Sequence, residues 1–183
     1  LSMKLEKART ESLTDGLTGI YNRKAYDSRI SSLVEKNTVS KASFSLLMLD
    51  IDDFKKVNDD HGHHTGDRVI LAIINKCRQS IRGEDFLARY GGDEFVIILP
   101  GASLKNAVKR AQAICQSIAS TRYYLDDVAG SPTLSVTVSI GVCSIEKADT
   151  VSAVTQRADK ALYAAKQSGK NCIFSEKNVN YTQ

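Results

Sequence analysis

The segment Arg89-Tyr90-Gly91-Gly92-Asp93-Glu94-Phe95 sets two adjacent carboxylates on a glycine-made turn between apolar runs. Residues 86–90 are apolar at alternate positions and residues 95–99 are almost wholly apolar, so both flanks read as strands and the glycines as a hairpin tip. A glycine pair tolerates positive φ and lets a bulky anion approach the backbone, while Asp93 and Glu94 place negative charge beside it. Charges of that sign would repel a phosphate unless a divalent cation stood between them. A solvated Gly-Gly-Asp turn is the plain alternative, and the hairpin by itself does not decide.

A second acidic cluster lies about forty residues upstream. Residues 43–49 read as a buried strand, followed by Asp50-Ile51-Asp52-Asp53-Phe54-Lys55-Lys56. Side chains alternate along extended backbone, so Asp50 and Asp52 are expected on one face, with Asp50, nearest the sheet, the better-placed ligand. Ligand sites gather beyond strand ends in open sheets. A capped loop is the alternative, because Asp is common in turns.

The polar stretch 57–67 then leads into a mostly buried helix from Arg68 onward. Asn58 both donates and accepts, and the Asp67 carboxylate can accept two N–H groups, a combination that suits a guanine edge. A helix N-cap is the other reading of Asp67. His61, His63 and His64 share one short loop with no cysteine nearby, a poor basis for tetrahedral zinc.

Gly91-Gly92-Asp93-Glu94-Phe95 resembles the signature of the GGDEF family of diguanylate cyclases, which join two GTP molecules into cyclic di-GMP. The opening motif Asp15-Gly16-Leu17-Thr18-Gly19-Ile20-Tyr21-Asn22-Arg23, the segment from Asp50 to Asp67, and the stretches 137–142 and 158–166 follow the family's other motifs in order, covering roughly 13–174. The resemblance implies an α/β fold, an α+β sandwich in which a mixed central sheet is flanked by helices, like a nucleotidyl cyclase palm.

The same resemblance implies the site. Asp50, the Ile51 carbonyl, Asp93 and Glu94 would hold Mg²⁺, or Mn²⁺, with Asp93 and Glu94 the catalytic carboxylates; other members carry Glu at the position of Asp93. Bound metal would neutralise charge on the phosphates and acidify the attacking 3′-hydroxyl. Phe54, Lys55, Asn58, His63, Asp67, Gly91 and Gly92 would bind the substrate. Lys166 and Lys170 would reach its β and γ phosphates, Lys170 standing where many relatives carry Arg and so lacking the bidentate fork. Arg82 and Asp85 look like the family's Arg-x-x-Asp product-inhibition site, whose second arginine is missing at Ala113, although Arg110 lies one turn earlier. A homodimer with one GTP per subunit follows for a two-fold symmetric product.

Bulk properties fit one globular domain: in 183 residues, 42% are hydrophobic, enough to build a core, and no apolar run reaches bilayer length. The net charge of +4 is small and spread along the chain, so nucleic acid is not an expected partner. Four scattered cysteines read as buried, reduced thiols of a cytoplasmic domain. Residues 1–14, with Leu1-Ser2 before Met3, read as the charged end of a linker helix on an excised fragment. The full protein is expected to carry an upstream sensor domain, itself a possible membrane anchor, while this fragment makes no membrane contact. Residues 15–177 form the domain and 178–183 a tail. The alternatives to a diguanylate cyclase are a catalytically silent module binding GTP or cyclic di-GMP, and a palm-type polymerase or mononucleotide cyclase, which accounts for the metal but not for Asp67 or the Arg82/Asp85 pair.

Overall fold

The computed structural model describes residues 13–125, 128 and 130–177, so residues 1–12 of the linker expected over 1–14 and the tail over 178–183 lie outside the described residues. The chain runs α1 (Arg23–Ser40), β1 (Phe44–Ile51), α2 (Phe54–Ser80), β2 (Phe86–Arg89), β3 (Glu94–Pro100), α3 (Leu104–Ala119), β4 (Tyr123–Tyr124), β5 (Thr133–Leu134), β6 (Val138–Ser144), α4 (Val151–Gln167) and β7 (Ile173–Ser175). Five strands form one sheet in the order β2-β3-β1-β6-β7, antiparallel except for the parallel β6/β7 pair, and β4/β5 form a separate ribbon. The sheet is thus mixed, as expected.

Alternation along β1 explains the layering. Leu47, Leu49 and Ile51 join one core with Val69, Ile73 and Cys77 of α2 and Ala107, Ile114 and Ile118 of α3. Leu46 and Met48 join a second core with Tyr26 and Ile30 of α1 and Val154, Ala158 and Leu162 of α4. Every residue of β1 is buried because both sheet faces are covered by helices. Side-chain caps start the helices where the periodic runs begin: Asn22, Ser103 and Thr150 each accept the backbone N–H three residues on.

Two local features differ from a plain reading of the sequence. The polar stretch after β1 is helical, not a loop, and only Gly62, at φ +82 and ψ 159, breaks α2. The apolar-rich run 134–143 does not form one strand: Leu134 pairs in the β4/β5 ribbon and β6 begins at Val138. All four cysteines are buried and free, and burial pushes the thiols of Cys77, Cys115 and Cys143 up to about 12. No helix among the described residues is long and apolar enough to cross a membrane.

Candidate active site

The two acidic clusters meet at one end of the sheet. Asp50 on β1 is the direct cross-strand partner of Glu94 on β3, and Ile51 N donates to the Asp93 carbonyl at 3.1 Å. Cross-strand neighbours bring their Cβ atoms within roughly 5 Å, so these carboxylates share one electrostatic environment. Burial pushes the Asp50 carboxyl up to about 6, Asp93 and Glu94 add to the rise, and Lys166, whose Nζ stands 2.8 Å from Asp50 Oδ2, opposes it.

Among the described residues no three Asp, Glu, His or Cys side chains form a ready-made cage. The donor set nevertheless fits a hard cation. Asp50 is a buried carboxylate with Asp93, Glu94 and the Ile51 carbonyl beside it and a single ammonium, that of Lys166, against it, and Mg²⁺ characteristically takes one or two carboxylates and fills its shell with water and phosphate.

The signature turn is held by a cation from the strand before it. Arg89 Nη2 donates to the Gly92 carbonyl at 2.7 Å and Nε to the Gly91 and Gly92 carbonyls at 3.2 Å each. Arg89 Nη1 donates to both Asp15 carboxylate oxygens at 3.2 Å. Asp15 in turn accepts the Thr18 N–H at 2.9 Å and hydroxyl at 2.6 Å. Burial raises the Asp15 carboxyl, but the Thr18 bonds and the Arg89 charge outweigh it and hold the group below its ordinary value. Neither signature glycine uses positive φ, contrary to the sequence expectation. Gly91 serves close approach instead: a Cβ there would stand 2.6 Å from Glu94 Oε2, while one on Gly92 would meet open space.

A cavity of about 340 Å³ lies alongside, lined by Phe54, Lys55, Asn58, His63 and Asp67 of α2 and by Arg89, Gly92 and Asp93 of the hairpin. Asp67 lies inside the helix, so the N-cap reading falls. Asn58 Oδ1 is buried with no hydrogen-bond partner among the described residues, an arrangement costing about 1–3 kcal/mol until a donor arrives. Gly66 makes room for it, because a Cβ there would land on Asn58 Oδ1 and press the Phe54 ring. Lys170 lies further round the acidic rim, with Nζ 2.6 Å from Asp53 Oδ1.

Asp52 keeps to the Asp50 side of the strand, as alternation predicts, but its carboxylate is taken up by Thr137, Ser139 and the Asn171 N–H. The sequence reading missed Arg89, Asp15 and Gly66 as site-building residues. Arg89 and Asp15 stood inside quoted motifs, and a lone glycine in a helical run was the only mark of Gly66.

The Arg82/Asp85 pair lies elsewhere. Asp85 Oδ2 accepts the Arg82 N–H at 2.7 Å and faces Arg110 Nη1 at 3.4 Å, while Arg110 Nη1 also donates to the Ser80 carbonyl at 2.5 Å. Arg82, Asp85, Lys109, Arg110 and Ala113 line a separate cavity of about 610 Å³.

Known proteins resemble this chain in sequence and in fold. The diguanylate cyclase DgcP of Pseudomonas aeruginosa is 40% identical over 167 residues, covering 91% of this chain and 24% of that protein. The response regulator PleD of Caulobacter vibrioides is 37% identical over 165 residues, 90% of this chain and 36% of PleD. The chain therefore spans a quarter to a third or so of these two relatives. Among solved structures, the coiled coil and GGDEF domain of DgcB from Caulobacter crescentus, in complex with c-di-GMP, superposes with a TM-score of 0.89 at 32% identity, covering 95% of this chain and 91% of that one. The sequence model of the family described as "Diguanylate cyclase, GGDEF domain" matches residues 12–172, a span that holds both acidic clusters and the cavity between them, and the chain belongs to the GGDEF family.

Proposed function

We propose that this domain is a diguanylate cyclase, joining two GTP molecules into cyclic di-GMP as a homodimer with one GTP per subunit. The observation that carries the reading is the cavity with Asn58 and Asp67 on one wall and Asp93 on the other. Asp67 can accept the paired N–H donors of a guanine edge, and the Asn58 amide, whose Oδ1 has no hydrogen-bond partner among the described residues, offers a further acceptor once it turns toward the base. Adenine offers Asp67 no such pair, so the pocket favours GTP over ATP. Phe54 packs beneath the base, with Lys55 and His63 as further contacts.

With guanine in the cavity, the triphosphate runs toward Gly91, Gly92 and the β1 end. Gly92 leaves open space for its oxygens. Lys166 and Lys170, paired with Asp50 and Asp53, exchange those carboxylates for the β and γ phosphates. Mg²⁺ or Mn²⁺ bound by Asp50, the Ile51 carbonyl, Asp93 and Glu94 supplies the charge neutralisation that phosphoryl transfer requires.

In each half-reaction the 3′-oxygen of one GTP forms a bond to the α-phosphorus of the other, the bond from that phosphorus to the bridging oxygen breaks, and pyrophosphate departs. Glu94 takes up the hydroxyl proton or helps hold the metal that acidifies it. A second copy must present its nucleotide face to face, because one cavity holds one base.

Arg82, Asp85 and Arg110 support a second reading of regulation, an inhibitory cyclic di-GMP site in which Arg110 supplies the cation that Ala113 does not. Titration calorimetry should show Arg82→Ala losing product affinity, and parent affinity in that variant removes the site.

Incubation of the purified protein with GTP and magnesium, followed by chromatography, tests the main reading. Cyclic di-GMP and pyrophosphate should form and vanish in Glu94→Ala. Tight GTP binding with no product at high protein concentration would instead establish the silent module, and product from ATP would overturn the base assignment.

A further inference from the structure

The turn between α4 and β7 passes through three consecutive residues of positive φ: Gly169 at +108, Lys170 at +63 and Asn171 at +46. Glycine adopts this region freely and asparagine tolerates it, but a lysine is held there only by surrounding contacts. Two of those contacts come from the end of α4, Gly169 N to the Lys166 carbonyl at 3.4 Å and Lys170 N to the Ala165 carbonyl at 3.2 Å. Two more meet Asn171: its N–H donates to Asp52 Oδ2 at 3.0 Å from across the sheet, and its Oδ1 accepts from Cys115 Sγ at 3.6 Å.

Asp52 is 7% exposed and sits between Ile51, which ends β1, and Asp53, which pairs with Lys170. Its oxygens carry three donors: Oδ1 accepts from Ser139 Oγ at 2.7 Å, and Oδ2 accepts from Thr137 Oγ1 at 2.6 Å as well as from Asn171. The Asp52 N–H donates to the Thr137 carbonyl at 2.9 Å. One side chain therefore clamps the end of β1, the start of β6 and the left-handed turn into a single block. A carboxylate with three donors already on it is a poor metal ligand and a good anchor.

We propose that Asp52 is a positioning residue for substrate binding: it fixes the left-handed turn that holds the Lys170 ammonium beside the β1 carboxylates, where the terminal phosphates of the nucleotide lie. The assignment rests on the GTP reading above. Because Lys170 contacts phosphates distant from the reacting phosphorus, loss of Asp52 acts on substrate affinity more than on turnover.

The test is a cycle of Asp52→Asn, Asn171→Gly and the double variant in the whole chain. It is read by KM and kcat for GTP and by calorimetric binding of α,β-methylene GTP with magnesium. Asp52→Asn should raise KM and the analogue Kd about tenfold, as expected for one charge-assisted hydrogen bond, with kcat changed far less. Asn171→Gly added to it should recover most of the loss, since glycine reaches the left-handed turn unaided. A role confined to joining β1 and β6 predicts no such rescue, and an equal defect with and without Asn171→Gly overturns the proposal.

Gly169→Ala covers the case in which Asp52→Asn does not fold. Gly169 is exposed with nothing within 4 Å of its absent Cβ, so alanine strains only the turn. It should weaken the analogue by a similar factor, and parent affinity in Gly169→Ala also overturns the proposal. If the parent protein fails to bind the analogue, the GTP reading falls first. Parent binding with an unaffected Asp52→Asn removes this inference alone.

Discussion

Asp15 and Arg89 stand 74 residues apart in the chain and meet through two hydrogen bonds of 3.2 Å, and the same guanidinium grips the carbonyls of Gly91 and Gly92. The opening motif is thereby fastened to the signature turn. Thr18 fixes the Asp15 carboxylate, and Arg23 lies 4.4 Å over the Tyr90 ring, so the segment leading into α1 holds the hairpin at two points.

Asp15→Ala should therefore cost turnover more than stability. The pair is partly solvated, with each side chain 19% exposed, and such pairs contribute about 1 kcal/mol or less. A signature turn displaced by a fraction of an ångström costs more, on the order of ten- to a hundredfold in kcat. Thermal melting together with steady-state kinetics checks the split, and a variant that melts far lower while keeping its kcat refutes it.

Gly66→Ala should empty the base pocket without unfolding the domain. The added methyl lands on Asn58 Oδ1, the buried acceptor that lacks a partner, so moving that amide toward solvent costs the apo fold little. Guanine loses a contact, and affinity for GTP should fall by about tenfold or more. Calorimetry of α,β-methylene GTP against a denaturation curve distinguishes this from overall destabilisation.

How far these features were legible in the chain depends on what sets them. The hairpin around Gly91-Gly92 and the buried strand before Asp50 were readable because burial on a sheet imposes alternation or unbroken apolar runs. The first half of α2 was not, since Lys55, Lys56, Asp59, Asp60 and His61 show no apolar stripe and the helix there is only partly packed. The break between Leu134 and Val138 escaped because Thr137 uses its carbonyl and hydroxyl on Asp52, a tertiary contact without local pattern. Of the site, the charged residues were readable by type and the cavity joins many of them. Arg89, which shapes the turn by bonding backbone carbonyls, could be recognised only in three dimensions.

Gly141→Ala should be among the most destabilising small substitutions. A Cβ on Gly141 of β6 would collide with the backbone of α4 at Ala158 O and Leu162 N, and backbone cannot rotate away as a side chain can. Forcing α4 off the sheet is overpacking of the kind that costs about 1–3 kcal/mol, and a clash with backbone falls at the upper end of that range; it would also carry Lys166 away from Asp50. Urea denaturation should show the midpoint falling sharply with the slope preserved. A shift of only a few tenths of a kcal/mol would mean the helix relaxes freely, contrary to the close contact described.

Asp50→Asn should abolish turnover while making the metal-free protein more stable at neutral pH. Burial first, and then the Asp93 and Glu94 charges, push the folded carboxyl up to about 6 from an ordinary 3.8, with Lys166 pulling the other way. The native fold thus holds this proton more tightly than the unfolded chain does. Its contribution to stability is full below pH 3.8, declines as pH rises toward 6, and stays low above that. Replacing the carboxylate by an amide removes that decline, worth on the order of 3 kcal/mol at most, less what Lys166 loses as a partner. Melting in EDTA should show the variant gaining on the parent between pH 4 and pH 8, whereas added magnesium with GTP should raise the melting temperature of the parent alone. A variant that melts below the parent at pH 8 in EDTA would show that Lys166 fully compensates the buried charge.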